Sequence, residues 1–265
     1  MHNTTTLIGT AIDTLLAIMI FGFVLWLISF RRGDVSIVDS AWSLFQLIAA
    51  WIYFGAVSEA GVRGVIVLVL VSVWALRLST YITWRNWGHA EDYRYQQIRA
   101  NNQPHFEWKA LYFVFGLQGF LAWLLSMPVL VAIADNSPLK LLDALGILLF
   151  VTGFLFEAIG DFQLAQFKKD AANKGKVMRT GLWRYTRHPN YFGEFCMAWG
   201  LYAVAVSAGG WWTLFAPLLI TFLLLKISGV AMLEKDIGDR RPDYRDYKNT
   251  TNAFFPGLPR HSTGK

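Results

Sequence analysis

The residues from Arg179 to Glu194, RTGLWRYTRHPNYFGE, place cations, aromatic rings and amides directly ahead of an apolar helix. Arg179, Arg184 and Arg187, with Lys168 and Lys176 before them, can form charge-assisted bonds to phosphate oxygens, bidentate in the case of arginine. His188-Pro189-Asn190 opens the helix, where proline costs no hydrogen bond and the first backbone amides favour an anion. Trp183, Tyr185 and Tyr191 offer flat faces to a purine or nicotinamide ring, and Asn190 and Glu194 share one helix face a turn apart. This chemistry suits a phosphorylated ligand held at a membrane edge. NADPH, S-adenosylmethionine and a lipid phosphate would each use several of these groups, and the residues alone leave the choice open.

Three other segments carry polar groups at helical spacing. Arg77, Tyr81 and Arg85 lie four apart; Glu157, Asp161 and Lys168 follow at i, i+4 and i+11; Asp34 and Asp39 stand close to Trp42. A carboxylate at membrane depth costs at least ~2.5 kcal/mol, so such groups face a polar partner or a cavity. If these faces converge, they enclose a polar chamber that opens to the cytoplasm. A structural reading competes: Asp161 pairs with Arg77, His188 caps its helix, Arg31, Arg32, Lys169 and Lys174 snorkel to headgroups, and Trp84, Trp87, Trp211 and Trp212 form interfacial belts.

The elements that must position these groups are membrane helices. The 265 residues are 55% hydrophobic and 16% aromatic, with 12 Trp and a mean hydropathy of +0.37, a composition foreign to a soluble domain. A span needs roughly 20 apolar residues. Seven stretches qualify, at about 7–30, 36–55, 64–84, 110–134, 141–167, 190–209 and 211–233. The first ends in Arg31-Arg32 and lacks a basic leader, so it is expected to remain as a span and not to be removed as a signal peptide. Lys and Arg gather at 31–32, 85–109, 168–187 and after 226, while the alternate loops hold only Arg63 and Lys140. That bias places the N-terminus outside and the C-terminus in the cytoplasm.

The expected fold is therefore all-α: a polytopic membrane protein of seven transmembrane helices whose cytoplasmic loops cap a cofactor pocket. One domain covers 1–265, with 1–109 on the substrate side and 141–258 as the cofactor-binding core. The loop at 85–109 and the tail at 239–260, dense in Tyr, Arg and Asp, are expected to be ordered caps. Cys196 stands alone, which removes an internal disulfide and a zinc site. The net charge of +6 fits cytoplasmic loops and acidic headgroups better than nucleic acid. Neither a Rossmann glycine pattern nor a P-loop is present. No obligate protein partner is evident.

At this point a resemblance is plain. The pattern R-x-G-L-[WY]-x-x-[ST]-R-H-P-x-Y-x-G-E from Arg179 to Glu194, and an ending of D-Y-x-x-Y with F-P matched by Asp243, Tyr244, Tyr247, Phe255 and Pro256, resemble the steroid 5α-reductase family, in particular its bacterial seven-helix members. Sterol reductases and isoprenylcysteine methyltransferases share this C-terminal half more loosely.

The resemblance implies an NADPH-dependent reduction of the Δ4 double bond of a 3-oxo-steroid or another flat hydrophobic enone, in a bacterial inner membrane. It implies cofactor binding by Arg77, Glu157, Asp161, Lys168, Arg179, Tyr185, Arg187, His188, Asn190, Tyr191, Glu194, Asp243 and Tyr244, with Glu157 replacing the family's Asn. The family grips the steroid ketone with a Glu and a Tyr; Asp39 and Trp74 occupy those positions here, with Tyr81 nearby. Trp cannot act as a phenolic donor, so a neutral Asp39, Tyr81 or a water is expected to assist, a carboxylic acid in an apolar pocket being able to donate at neutral pH. The rival readings are an S-adenosylmethionine-dependent methyltransferase, which would present a Glu-Glu pair where this chain has Glu234-Lys235, and a non-enzymatic lipid-binding protein or transporter.

Overall fold

The computed structural model describes residues 4–227, 229–234, 237–241 and 243–260. Among the described residues the regular structure is helical, with no strand. The order is α1 (Thr4–Arg32), α2 (Ile37–Ala56), α3 (Val62–Asn86), α4 (Tyr93–Asn101), α5 (Phe106–Ala110), α6 (Leu117–Leu125), α7 (Met127–Ala134), α8 (Leu141–Lys169), α9 (Pro189–Ser207), α10 (Phe215–Phe222), α11 (Val230–Glu234), α12 (Ile237–Arg240) and α13 (Asp243–Thr250). Helices α5 to α7 form one span, Phe106–Ala134, joined by a widened π turn at Leu111–Gly116 and restarted at Met127-Pro128, where proline needs no intrahelical donor.

Six helices among the described residues are long and apolar enough to cross a bilayer: those at 5–32, 37–56, 62–86, 106–134, 141–169 and 211–234. The chain is thus compatible with a multi-pass integral membrane protein. The six do not include α9, whose 19 residues open with Pro189, Asn190 and Glu194, so the seven spans read from the sequence are matched at six.

The chain divides into two compact units, Met1–Lys140 with Ala205–Thr213, and Leu141–Val204 with Leu214–Lys265. In unit 1, α2 is the central helix, and small polar side chains tie it to its neighbours. Ser43 donates to the Ala75 carbonyl at 2.8 Å, Gln46 to the Ala122 carbonyl at 2.8 Å, and Tyr53 meets Ser126 at 2.6 Å. Each satisfies a polar group that lipid cannot. Arg63, fully enclosed at the start of α3, is held by Asp135, Ser137 and Pro138. Outward faces are apolar, as at Ile8, Ile12, Leu16 and Ile20 on α1.

In unit 2, α8 and α9 touch backbone to backbone. Gly146, Gly153 and Gly160 recur every seventh residue on α8, two turns apart, and Gly193 and Gly200 answer them on α9. A methyl at Gly146 would lie 2.7 Å from the Gly200 carbonyl oxygen, and one at Gly200 2.6 Å from that of Gly146. Only glycine allows so close an approach, the device by which small residues pack helices where no hydrophobic force drives them together. Tail helix α13 then buries Tyr244 and Tyr247 on one face and exposes Asp243, Arg245, Asp246 and Lys248.

Candidate functional site

The unit 1 cluster is built on Asp39, in the first turn of α2. The loop that follows α3 folds as α4, because Asp92 caps it by accepting from the Arg94 backbone at 2.9 Å. This turn presents two donors to Asp39: Arg94 Nη2 at 2.6 Å on one oxygen and Tyr95 Oη at 2.6 Å on the other. Gln118 of α6 donates to the Tyr95 oxygen at 3.1 Å. Burial opposes the Asp92 charge, but the bonds and charge of Arg94 outweigh it and lower the Asp92 pKa. Burial, with the charge of Asp39, pushes the Tyr95 phenol well above its usual range.

A second network pins the same loop. Glu91 accepts from the Val35 backbone at 2.9 Å and from Arg99 at 2.9 and 3.0 Å, while Arg99 also reaches Glu107 at 2.9 Å. The other acid singled out by the sequence, Asp34, accepts from the Ser36 backbone and hydroxyl at 2.8 and 2.6 Å, a turn that leads into α2. On α3, Trp74 is buried, and the Tyr81 ring lies between Arg77 and Arg85, with guanidinium carbons 5.5 and 5.8 Å from its centre.

Asp39 thus accepts from a guanidinium on one oxygen and from a phenol on the other, and forms an ion pair with Arg94. Arg94, Tyr95 and Gln118 escape a reading of span periodicity; the Asp92 capping signal ahead of Tyr93-Arg94-Tyr95 marks the loop helix that carries two of them.

The unit 2 cluster starts from buried acids on α8: Glu157 is 3% exposed and Asp161 6%. The glycine contacts place them beside the start of α9. Gly193, between Asn190 and Glu194, packs against the Glu157 backbone and Cβ, and Gly160, next to Asp161, packs on Pro189 and the Asn190 backbone. Glu157, Asp161, Asn190 and Glu194 are therefore brought together in one unit. Trp183 donates to the Gly160 carbonyl at 3.0 Å, and Gln163 accepts from the Leu182 backbone at 3.0 Å, so the cationic segment is sewn to α8.

In the same unit, Glu234 gathers donors from Arg187, His188 and Tyr244. Arg187 binds it in bidentate fashion at 2.8 and 2.9 Å, His188 Nε2 lies at 2.9 Å, and Tyr244 donates at 3.1 Å. Arg187 further donates to the Lys248 carbonyl at 3.1 Å and to that of Thr251, and its backbone donates to the Asn252 carbonyl at 2.9 Å. Burial works against the Arg187 charge, yet the bonds and charge of Glu234 raise its pKa. Burial first, and then the Glu234 charge, lifts the Tyr244 phenol far above its ordinary value. His188 stacks on Tyr191, with ring centres 5.5 Å apart.

The arginines of the motif thus divide. Arg187 binds Glu234 and tail carbonyls, and Arg179 binds Asp246 at 2.7 Å and the Asp243 carbonyl. Lys168, Lys176 and Arg184 are exposed, as is Tyr185. Asp243 is an exposed surface acid, whereas Tyr244 is buried on Glu234. Glu234, the hub of the network, lay outside the expected site residues, because a single acid at the end of a span has no motif of its own.

The chemistry of this donor set fits a dinucleotide. Buried carboxylates and an amide accept from ribose hydroxyls or a carboxamide, and the exposed cations suit phosphates. Among the described residues no cluster of His, Cys, Asp and Glu could hold a metal ion.

Comparison with known proteins places the chain in a family. The family described as "Protein of unknown function (DUF1295)" matches residues 25–251. A protein of Schizosaccharomyces pombe (strain 972), named "Uncharacterized protein C594.04c", is 27% identical over 277 residues, covering 92% of this chain and 79% of the relative. No solved structure matches the chain.

Proposed function

We propose that this chain, which belongs to the DUF1295 family, is an NADPH-dependent membrane reductase acting on the conjugated double bond of a flat, hydrophobic 3-oxo compound of the Δ4-steroid type. The family is related to steroid 5α-reductase-like membrane proteins, and the motif from Arg179 to Glu194 supports the same reading. The observation that carries it is the burial of Glu157 and Asp161 next to Asn190 and Glu194, within a helix pair otherwise packed by glycine. Acids at that depth are costly and face a polar partner or a cavity, which makes them candidates for a ligand site.

In this reading NADPH supplies the hydride. Asp161, Glu157 and Asn190 orient the nicotinamide and ribose end, and Lys168, Lys176 and Arg184 meet the phosphates. Arg187, His188, Glu234 and Tyr244 act one layer back, holding the start of α9 rigid so that Asn190 and Glu194 keep their places. The protein's contribution is orientation and electrostatic support of the oxygen that becomes an enolate. The apolar substrate enters from the bilayer, α9 is a seventh span, and the loops of the site face the cytoplasm, in accord with the distribution of Lys and Arg.

Detergent-purified protein is expected to oxidise NADPH in the presence of progesterone or testosterone, yielding the saturated 3-ketone. Asp161→Ala is expected to raise the KM for NADPH at least about tenfold, the loss of one charge-assisted bond. No NADPH oxidation with any 3-oxo-Δ4 compound, or an unchanged NADPH affinity in Asp161→Ala, contradicts the proposal.

A further inference from the structure

Asp13 interrupts the apolar run of α1, on the exposed side of the helix beside Ile12 and Leu16. Among the described residues it has no hydrogen-bond or ion-pair partner. Its depth follows from the packing of α1 on the span at 106–134. A methyl at Gly22 would lie 3.5 Å from the Phe115 carbonyl oxygen, and one at Gly119 3.2 Å from the Ile18 side chain, so the two helices run antiparallel and Asp13 falls level with Leu124. The Trp123 indole, which donates to the Ala11 carbonyl at 2.8 Å, marks the same level. Leu124 is ten residues from the Ala134 end of that span, about 15 Å at 1.5 Å per residue, and farther still from the Phe106 end. A depth of about 15 Å is half of a typical hydrocarbon core. A carboxyl group on a lipid-facing surface at that depth lacks the polar partner or cavity that such groups require. Thr10 and Thr14 do not supply one, since both are buried and donate to α1 carbonyls at 2.9 and 2.8 Å.

We propose that Asp13 is the contact point of a homodimer, in which the α1 helices of two copies pack side by side and the two Asp13 carboxyls hydrogen-bond to each other. Identical chains inserted with the same orientation carry the same residue at the same depth, and a two-fold axis sets like against like. Two acids in one site hold a proton between them instead of both ionising, so the pair closes without a cation. Within α1 the nearest Lys or Arg are Arg31 and Arg32, more than four turns away. The flanking residues permit the approach. Gly9 and Ala17 lie one turn to either side of Asp13 on the same face, and a methyl at Gly9 would meet nothing within 4 Å. Small residues at such spacing let membrane helices come close enough for a side-chain hydrogen bond between them. The contact rests on α1 lying in a bilayer and is independent of the reductase reading.

Alkaline carbonate extraction of membranes is the first step: release of the protein would show that α1 does not lie in lipid, and the membrane reading falls together with the contact. Retained protein is purified in detergent, and its monomer–dimer equilibrium is measured by sedimentation equilibrium at matched density. The wild type is expected to dimerise, and Asp13→Leu to raise the dissociation constant about tenfold or more, the scale of one hydrogen bond between membrane helices. Gly9→Leu is expected to do the same, since its side chain enters open space in the protomer and obstructs only a neighbouring helix. Asp13→Asn keeps a group that bonds to its own kind and should stay within about threefold of wild type. A retained wild type that is monomeric at every concentration overturns the dimer and leaves the span intact. A dimer indifferent to Asp13→Leu and Gly9→Leu overturns the α1 contact, and one lost equally in Asp13→Asn and Asp13→Leu overturns the hydrogen-bonded pair. A monomer that instead copurifies with a second membrane protein, released by Asp13→Asn, overturns the homodimer in favour of a cationic partner.

Discussion

Arg187 and Glu234 are 6% and 8% exposed and joined by two bonds of 2.8 and 2.9 Å, so neither can lose the other cheaply. Arg187→Ala leaves a buried carboxylate with, among the described residues, His188, Tyr244 and a distant Lys248, and breaking a buried pair in this way costs about 3–5 kcal/mol. The expected outcome is a lower melting temperature in detergent, with Arg187→Lys recovering only part of it because the bidentate fork is lost; an unchanged melting temperature in Arg187→Ala contradicts the assignment of this pair as an internal tie. The sequence marks Arg187, His188 and Asp39 as groups that need an explanation, since charges beside apolar helices must find partners. It does not disclose which partners. Glu234 lies 47 residues from Arg187, and Tyr95 lies 56 from Asp39, separations that no helical period encodes.

Helix placement was far more legible, because a bilayer imposes length and apolarity on every span. Expected spans at 36–55, 64–84, 141–167 and 211–233 correspond to helices at 37–56, 62–86, 141–169 and 211–234. The span expected at 110–134 corresponds to the helix at 106–134, but its π turn and its restart at Pro128 depend on local backbone geometry more than on hydropathy. The seven-residue spacing of Gly146, Gly153 and Gly160 stood in plain view, yet it acquires meaning only when Gly193 and Gly200 face it. Gly153→Leu tests that contact: its side chain would meet the Gly193 carbonyl and the Cys196 Cβ, in both cases backbone or near-backbone atoms that cannot yield. Overpacking of this kind costs about 1–3 kcal/mol or more, and the nucleotide response of unit 2 should be lost with it. A Gly153→Leu protein with wild-type stability and nucleotide response would show that the close approach of α8 and α9 is dispensable.

At the scale of the whole molecule, composition leads to the expectation of a multi-pass membrane protein, and six of the described helices are compatible with it. Its division into two compact units was not legible, since the apolar pattern runs on through both without a linker. The functional reading turns on unit 2, whose buried acids and exposed cations suit a dinucleotide but share features with S-adenosylmethionine chemistry. Thermal unfolding of the detergent-purified protein with each nucleotide separates the two most directly. A ligand that binds only the folded state stabilises it by about 2.7 kcal/mol at one hundred times its Kd, so NADPH is predicted to raise the melting temperature by several degrees, S-adenosylmethionine to leave it unmoved, and Asp161→Ala to abolish the NADPH response. A rise with S-adenosylmethionine and none with NADPH would contradict the account.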